Sequence, residues 1–259
     1  MKQYLDNFVK YQFLLKELVK KEIKLKYRRS KLGILWTLIE PLLTMSVLTL
    51  VFGTFFGRND KTFPVYILTG RLLYSYFNES TRGALRSIRR NSGMIKKVYV
   101  PKYIYPLAGV LSSYVIFLIS LIVLAGVGTV LKVKPTIYII GAVVPLFLLF
   151  IMSLGVGMIL ATLAVFFRDL EYLWSVVCML IMYTCAIFYK ADRVIDTGNG
   201  WVFSINPLYA IIANFRNCVL YGQPMDVHLL LVSSIFSFSV LIIGFFIFYK
   251  NQDKFILHI

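Results

Sequence analysis

Residues 32–56 read LGILWTLIEPLLTMSVLTLVFGTFF, and apart from Glu40 the run is uncharged. A helix rises ~1.5 Å per residue, so about 20 apolar residues cross the hydrocarbon of a bilayer. This run is long enough, and it predicts a first transmembrane helix closed by the polar turn Gly57–Thr62. Four further apolar runs follow: Ala108–Leu131, Ile137–Phe167, Leu173–Tyr189 and Leu229–Tyr249. A shorter one, Phe63–Asn78, carries Arg71 and makes the weakest span. The run 137–167 is too long for one straight span, and Pro145 with the Gly155/Gly157 pair is expected to kink it or open it re-entrantly. The fold class read from these runs is all-α: a polytopic membrane protein with six transmembrane helices.

Composition supports a lipid solvent. Hydrophobic residues make up 59% of the 259 and charged residues only 15%, against about a quarter charged in a soluble domain. One soluble core could not bury that much apolar surface. The formal net charge of +16 does not point to nucleic acid, because the cations cluster beside the apolar runs. With the N-terminus in the cytoplasm, 20 of the 28 Lys and Arg fall on the cytoplasmic side, seven outside, and Arg71 within a span. That asymmetry predicts both termini cytoplasmic.

Residues 1–31 read as a cytoplasmic amphipathic interface helix ahead of a six-span membrane domain, 32–259. Phe8, Tyr11, Leu15, Leu18, Val19 and Ile23 recur at helical spacing, with Lys10, Lys16, Glu17, Lys20, Lys21 and Lys24 opposite. Such a helix lies on anionic headgroups or packs on a partner. A basic cluster, Lys24, Lys26, Arg28, Arg29 and Lys31, closes it. Cys178, Cys185 and Cys218 are an odd, scattered set that reads as packing residues and not a disulfide framework.

The chain lacks visible catalytic or energy-supplying machinery. No Gly-rich loop ending in Gly-Lys-Ser/Thr is present to cradle ATP phosphates. His228 and His258, the only histidines, have no metal-ligand partners at useful spacing, so no metal site is expected. No paired Asp motif suits a glycosyltransferase metal. Many spans without a power source imply a separate partner that does the work.

Several stretches together resemble ABC-type polysaccharide export permeases, the exporters of O-antigen and teichoic acid. They are Lys24-Leu-Lys-Tyr-Arg-Arg-Ser-Lys-Leu-Gly-Ile-Leu-Trp36 with Glu40-Pro-Leu42, then Met94-Ile-Lys-Lys-Val-Tyr-Val-Pro101 with Tyr105-Pro-Leu107, Phe166-Phe-Arg-Asp-Leu170, and Asn206-Pro-Leu208 with Arg216. In order, they cover nearly the whole chain. Two features depart from the family pattern: Cys185-Ala-Ile-Phe-Tyr189 lacks the Pro often found there, and Arg71 is unusual. The resemblance implies a homodimer in the bacterial inner membrane above two ABC ATPase subunits. The partner ATPase would bind ATP and Mg, with no cofactor on this chain. The cargo would be a lipid-linked glycan such as O-antigen, teichoic acid or capsule, moved through a channel between the two copies. A same-class exporter of lipid or drug, a membrane-embedded enzyme acting on lipid-linked sugars, and a scaffold are the alternatives.

In that reading Met94 and Ile95 pack into the ATPase while Lys96 and Lys97 pair with its acids. Arg168 and Asp169 make a second contact, unless they only cap a helix start. Glu40 lies ~12 Å into its helix; at that depth it either faces a cavity, lining a substrate channel with Arg71, or pairs with Arg71. Pro41 beside it should loosen the backbone ladder. Trp36, Tyr74, Tyr76 and Phe77, with Phe52, Phe55 and Phe56, could pave a glycan path or form the interfacial aromatic belt. The hydroxyls of Tyr74 and Tyr76 favour the wet channel. Asn206, Pro207 and Arg216 are expected at an outer gate, where the apolar stretch 208–213 suggests short helices.

Overall fold

The computed structural model describes residues 2–28, 30–56, 60–98, 100–191 and 200–258. Arg29 of the basic cluster, the Gly57 end of the first turn, and the side chains of Phe8, Lys10, Phe55 and Phe56 lie outside what is described. Every described element is helical. The long helices are α1 (Lys2–Tyr27), α2 (Trp36–Phe56), α3 (Phe63–Arg90), α5 (Ile104–Val130), α6 (Val143–Phe166), α7 (Leu170–Thr184) and α10 (Val227–Asn251). Four short ones join them: α4 (Ser92–Ile95), α8 (Trp201–Ile205), α9 (Pro207–Arg216) and α11 (Phe255–His258).

Four helical stretches are long and apolar enough to cross a bilayer: Gly33–Gly53, Ile104–Val130, Ile137–Phe166 and Val227–His258. They correspond to four of the six expected spans. The other two differ for physical reasons. The expected second span is the first half of α3, which runs on unbroken past Asn78 through Arg82, Arg86, Arg89 and Arg90. α3 sits at the centre, against α2, α5, α6, α7 and α9, so protein and not lipid receives most of its surface. The expected fifth span ends at Thr184, making α7 only 15 residues long. The chain then leaves the helix through the buried stretch Cys185–Phe188, with Ala186 at φ +46°.

Pro41 removes the N–H that would bond the carbonyl of Thr37, four residues back. The helix continues, and the Ser120 hydroxyl of α5, shared with the Ile116 carbonyl, reaches that carbonyl at 3.1 Å. Pro145 stands in the first turn of α6, where an N–H has no intrahelical acceptor. α6 runs without a break through Gly155 and Gly157, and both glycines serve close packing.

The bundle has two distinct ends. At one, Leu15 and Leu18 of α1, Ile95 of α4, Tyr105 of α5, Phe248 of α10 and Phe255 of α11 share a single core. The apolar stripe of α1 therefore packs on protein, mainly α5. At the other end, Asp60 ahead of α3 ties to Lys190 beyond α7 at 2.7 Å. Burial alone would raise the Asp60 pKa, but hydrogen bonds from Lys190 and Thr62 outweigh it and hold the carboxyl below its ordinary value. The stabilisation is therefore present above the unfolded value of about 3.9 and is lost as pH falls through the lower folded value. Thermal unfolding of the solubilised chain is expected to show an acid-side decline that Asp60→Asn reduces.

Candidate functional site

Three regions hold the residues singled out from sequence. The first is the end of the bundle that carries α4. Ile95 is buried in the core shared with α1 and α5, so it anchors α4 to its own chain and does not face outward. Met94 is half-buried, and Lys96, Lys97 and Val98 are exposed. Neither lysine makes an ion pair among the described residues. Arg168 and Asp169 are exposed in the turn between α6 and α7. Asp169 occupies the position before α7, but its side chain makes no capping bond. Its backbone carbonyl accepts from Tyr172 and Leu173, so the carboxylate is not consumed by the helix start.

The second region is a polar cavity between α2, α3, α5 and the end of α1. Glu40, Arg71, Lys26, Glu79, Thr44 and Tyr76 are among its lining residues. Glu40 and Arg71 are thus brought to one space without pairing: no ion pair joins them among the described residues. Arg71 leans toward the Tyr74 ring, 6.0 Å from its centre. Lys26 instead meets Glu79 at 2.5 Å. Burial works against the Lys26 charge, but the Glu79 carboxylate outweighs it and holds the ammonium above its usual pKa.

The aromatic residues expected along a channel divide. Trp36 is exposed on α2. Tyr74 is buried, and its hydroxyl donates to the Cys178 carbonyl at 2.8 Å, so protein supplies the partner that a wet channel was expected to supply. Tyr76 is buried in the helix core, stacked on Phe117 with ring centres 5.1 Å apart, and only borders the cavity. Phe77 is buried beside Trp174. Phe52 stacks on Phe188. Within one chain, then, Tyr74, Tyr76 and Phe77 are core residues.

The third region is built on α9. Asn206 caps the helix: its side-chain oxygen accepts from the backbone N–H groups of Leu208 and Tyr209 at 3.0 and 3.3 Å. Its amide donates to the Thr184 hydroxyl at the end of α7 at 3.0 Å. Pro207 takes the first helical position, where its missing N–H costs nothing. Arg216 is 3% exposed. Its guanidinium donates to the Thr69 hydroxyl at 3.3 Å and to the carbonyls of Ala186 and Tyr66 at 3.0 Å each. It also stands 3.5 Å from the centre of the Tyr66 ring. Arg216 therefore joins α9, α3 and the unwound end of α7. The Ala186 carbonyl accepts from the Tyr66 hydroxyl as well, which holds a strained left-handed residue in place. Sequence reading placed Arg216 in this region but found none of its partners, which lie 30 to 150 residues away.

These regions define an all-helical bundle with an open cavity lined by charged residues between α2, α3, α5 and the end of α1. Cys178, Cys185 and Cys218 are free and buried, and among the described residues no group of three His, Cys, Asp or Glu side chains could hold a metal ion.

The model of the ABC-2 type transporter family matches residues 13–220, and the chain belongs to that family. It is similar to the O-antigen export system permease protein RfbA of Klebsiella pneumoniae, 28% identical over 244 residues and 93% of both chains. The RfbA protein of Myxococcus xanthus is 26% identical, with 95% of both chains covered. The polysialic acid transport protein KpsM of Escherichia coli is 20% identical over 90% of this chain and 91% of that protein.

Proposed function

We propose that this chain is the membrane permease subunit of an ABC exporter that carries lipid-linked polysaccharide, of the O-antigen or capsule kind, across the bacterial inner membrane. The observation that carries the reading is the near end-to-end similarity to an O-antigen export system permease protein in two organisms and a polysialic acid transport protein in a third. Work is supplied by a separate ATPase subunit that binds ATP and Mg. In this reading residues 1–31 form an amphipathic interface helix at the cytoplasmic surface, and residues 32–259 form a six-span domain with both termini inside. The shared core of α1, α4 and α11 supports a common side for the two termini. The two additional spans are α3, sheltered by its neighbours, and α7, whose 15 residues extend only ~22 Å and are completed by the buried stretch beyond Thr184.

A homodimer fits the uncovered apolar surface. Leu43, Val47 and Leu50 on α2 are 55%, 62% and 75% exposed, and Val176, Met179 and Leu180 on α7 are 66%, 58% and 62% exposed. The channel runs between copies, lined by Glu40, Arg71 and Trp36, with Tyr74, Tyr76 and Phe77 behind them as structural support. Asn206, Pro207 and Arg216 hold the outer gate. Met94, Lys96 and Lys97, with Arg168 and Asp169, contact the ATPase, and Ile95 anchors that contact from within.

The test is reconstitution with the ATPase. Turnover should require both subunits and respond to lipid-linked glycan, and robust turnover by this chain alone would refute the division of labour. Reversing Lys96 and Lys97 to Glu is expected to weaken ATPase capture about tenfold through charge mismatch. The chain's level in the membrane should not change, because both side chains are exposed.

A further inference from the structure

The second half of α3 carries Glu79, Arg82, Arg86 and Arg90 at three- and four-residue spacing, so they form one stripe. The stripe borders a cavity of about 370 Å³ between α1, α3 and α5. A second cavity of about 590 Å³ adjoins it, sharing Leu25, Lys26 and Arg90 and adding Arg28. Around the two, five cations (Lys26, Arg28, Arg82, Arg86 and Arg90) face two carboxylates, Glu22 and Glu79.

The acids are already engaged. Glu79 holds Lys26, and Glu22 holds Arg90 at 2.7 Å. Arg86 reaches away to Glu171 at the start of α7. Arg82 pairs with no carboxylate among the described residues; it donates to the Ser175 hydroxyl at 3.0 Å and lies beside the Cys178 thiol. Its Nε is buried with no acceptor. A buried guanidinium N–H without an acceptor is costly and marks a place where a partner belongs. Surplus positive charge in a cleft with low-dielectric walls concentrates a positive potential. A guanidinium fork matches the oxygens of a phosphate better than any other side chain. Arg82 lies eight residues before the end of α3, or ~12 Å along the helix.

We propose that this stripe of α3 is the docking site for the phosphate or diphosphate ester of an amphiphilic substrate. Arg82 contacts the phosphate oxygens, and Arg86 and Arg90 exchange Glu171 and Glu22 for them. The inference rests on the lipid-linked glycan reading above and deepens it, because a lipid-linked sugar is joined to its carrier through phosphate. The exchange also has a consequence. Glu171 opens α7 beside the turn Arg168–Asp169, and Glu22 lies on α1, so phosphate binding would release α3 from both elements.

The test uses the chain co-purified with its ATPase in phosphatidylcholine nanodiscs. The probes are farnesyl diphosphate, farnesol, inorganic pyrophosphate and phosphatidylglycerol. Farnesyl diphosphate is expected to bind and farnesol not. Competition by inorganic pyrophosphate would support a contact made to the phosphate itself. Arg82→Gln should weaken farnesyl diphosphate roughly tenfold, the worth of one charged hydrogen bond. Glu79→Gln, which removes a competing carboxylate and frees Lys26, should tighten it. A purely structural role for the stripe would weaken binding in both variants, so the second keeps the test decisive if the first fails to fold. Unchanged affinity in Arg82→Gln overturns the inference. So does phosphatidylglycerol competing as well as farnesyl diphosphate, since the cleft would then hold ordinary anionic lipid. Either result beside intact glycan export leaves the exporter reading standing. Absence of glycan export by the wild-type pair would sink that reading instead.

Discussion

Gly244→Val is expected to abolish stable accumulation of the chain in the membrane. α6 and α10 form the most extensive helix pair in the fold, and they cross with backbone against backbone. A Cβ on Gly244 would stand 2.4 Å from the Gly155 carbonyl oxygen. A Cβ on Gly155 would stand 2.6 Å from the Leu241 nitrogen and 2.7 Å from its Cα. No rotamer change relieves such contacts, because main chain and not a side-chain tip is in the way. Between helices in lipid the driving force is close packing itself, so small residues at the crossing are what permit it. Overpacking costs 1–3 kcal/mol in typical cores and more where nothing can move, so about 3 kcal/mol or more is expected here. Gly126→Ala and Gly128→Ala on α5 are the controls. A Cβ at either meets nothing within 4 Å, and each should be neutral or slightly stabilising, since alanine suits a helix better than glycine. The measurement is thermal unfolding in detergent alongside membrane yield. Equal unfolding temperatures for Gly244→Val and Gly126→Ala would refute the packing account.

How much could be read in advance follows from what surrounds each helix. α2, α5, α6 and α10 are apolar on their packed and their uncovered faces alike, so their positions were readable from composition. α3 faces protein. Its apolar residues serve the core while one stripe keeps Arg71, Glu79, Arg82, Arg86 and Arg90, and a hydropathy reading stops at the first charges. Extending α3 past Asn78 and asking which charges share a face would have revealed the cationic stripe. The partner of Tyr74 was not legible, because its hydroxyl was credited to water, whereas the Cys178 carbonyl, 104 residues on, takes it. What the Gly155/Gly157 pair packs against was not legible in the sequence: α10 lies opposite the first and Ala84 of α3 opposite the second. Asn206-Pro-Leu208 was the opposite case. A capping residue followed by proline at the first helical position is a local signal, and α9 starts there.

Arg216→Met is expected to destabilise the chain by about 3 kcal/mol or more, the sum of one desolvated cation–π contact and lost charged hydrogen bonds. The site has been shaped around this side chain. Gly70 supplies the space: a Cβ there would stand 2.4 Å from the Arg216 Nη2. Thr69, Tyr66 and Ala186 provide three acceptors at angles that a planar fork can satisfy together. Arg216→Lys should therefore fail to rescue, because a single ammonium cannot span all three and would remain a buried charge without a carboxylate. Gly70→Ala disturbs the same contact from the other side by displacing the guanidinium from its acceptors. The double substitution Gly70→Ala with Arg216→Met should then cost clearly less than the two singles added together, since the second change removes what the first obstructs. Strict additivity, or an Arg216→Met chain that unfolds at the wild-type temperature, would show that α9 is held to α3 and to the end of α7 by apolar packing alone, and that the buried arginine is not the joint between them.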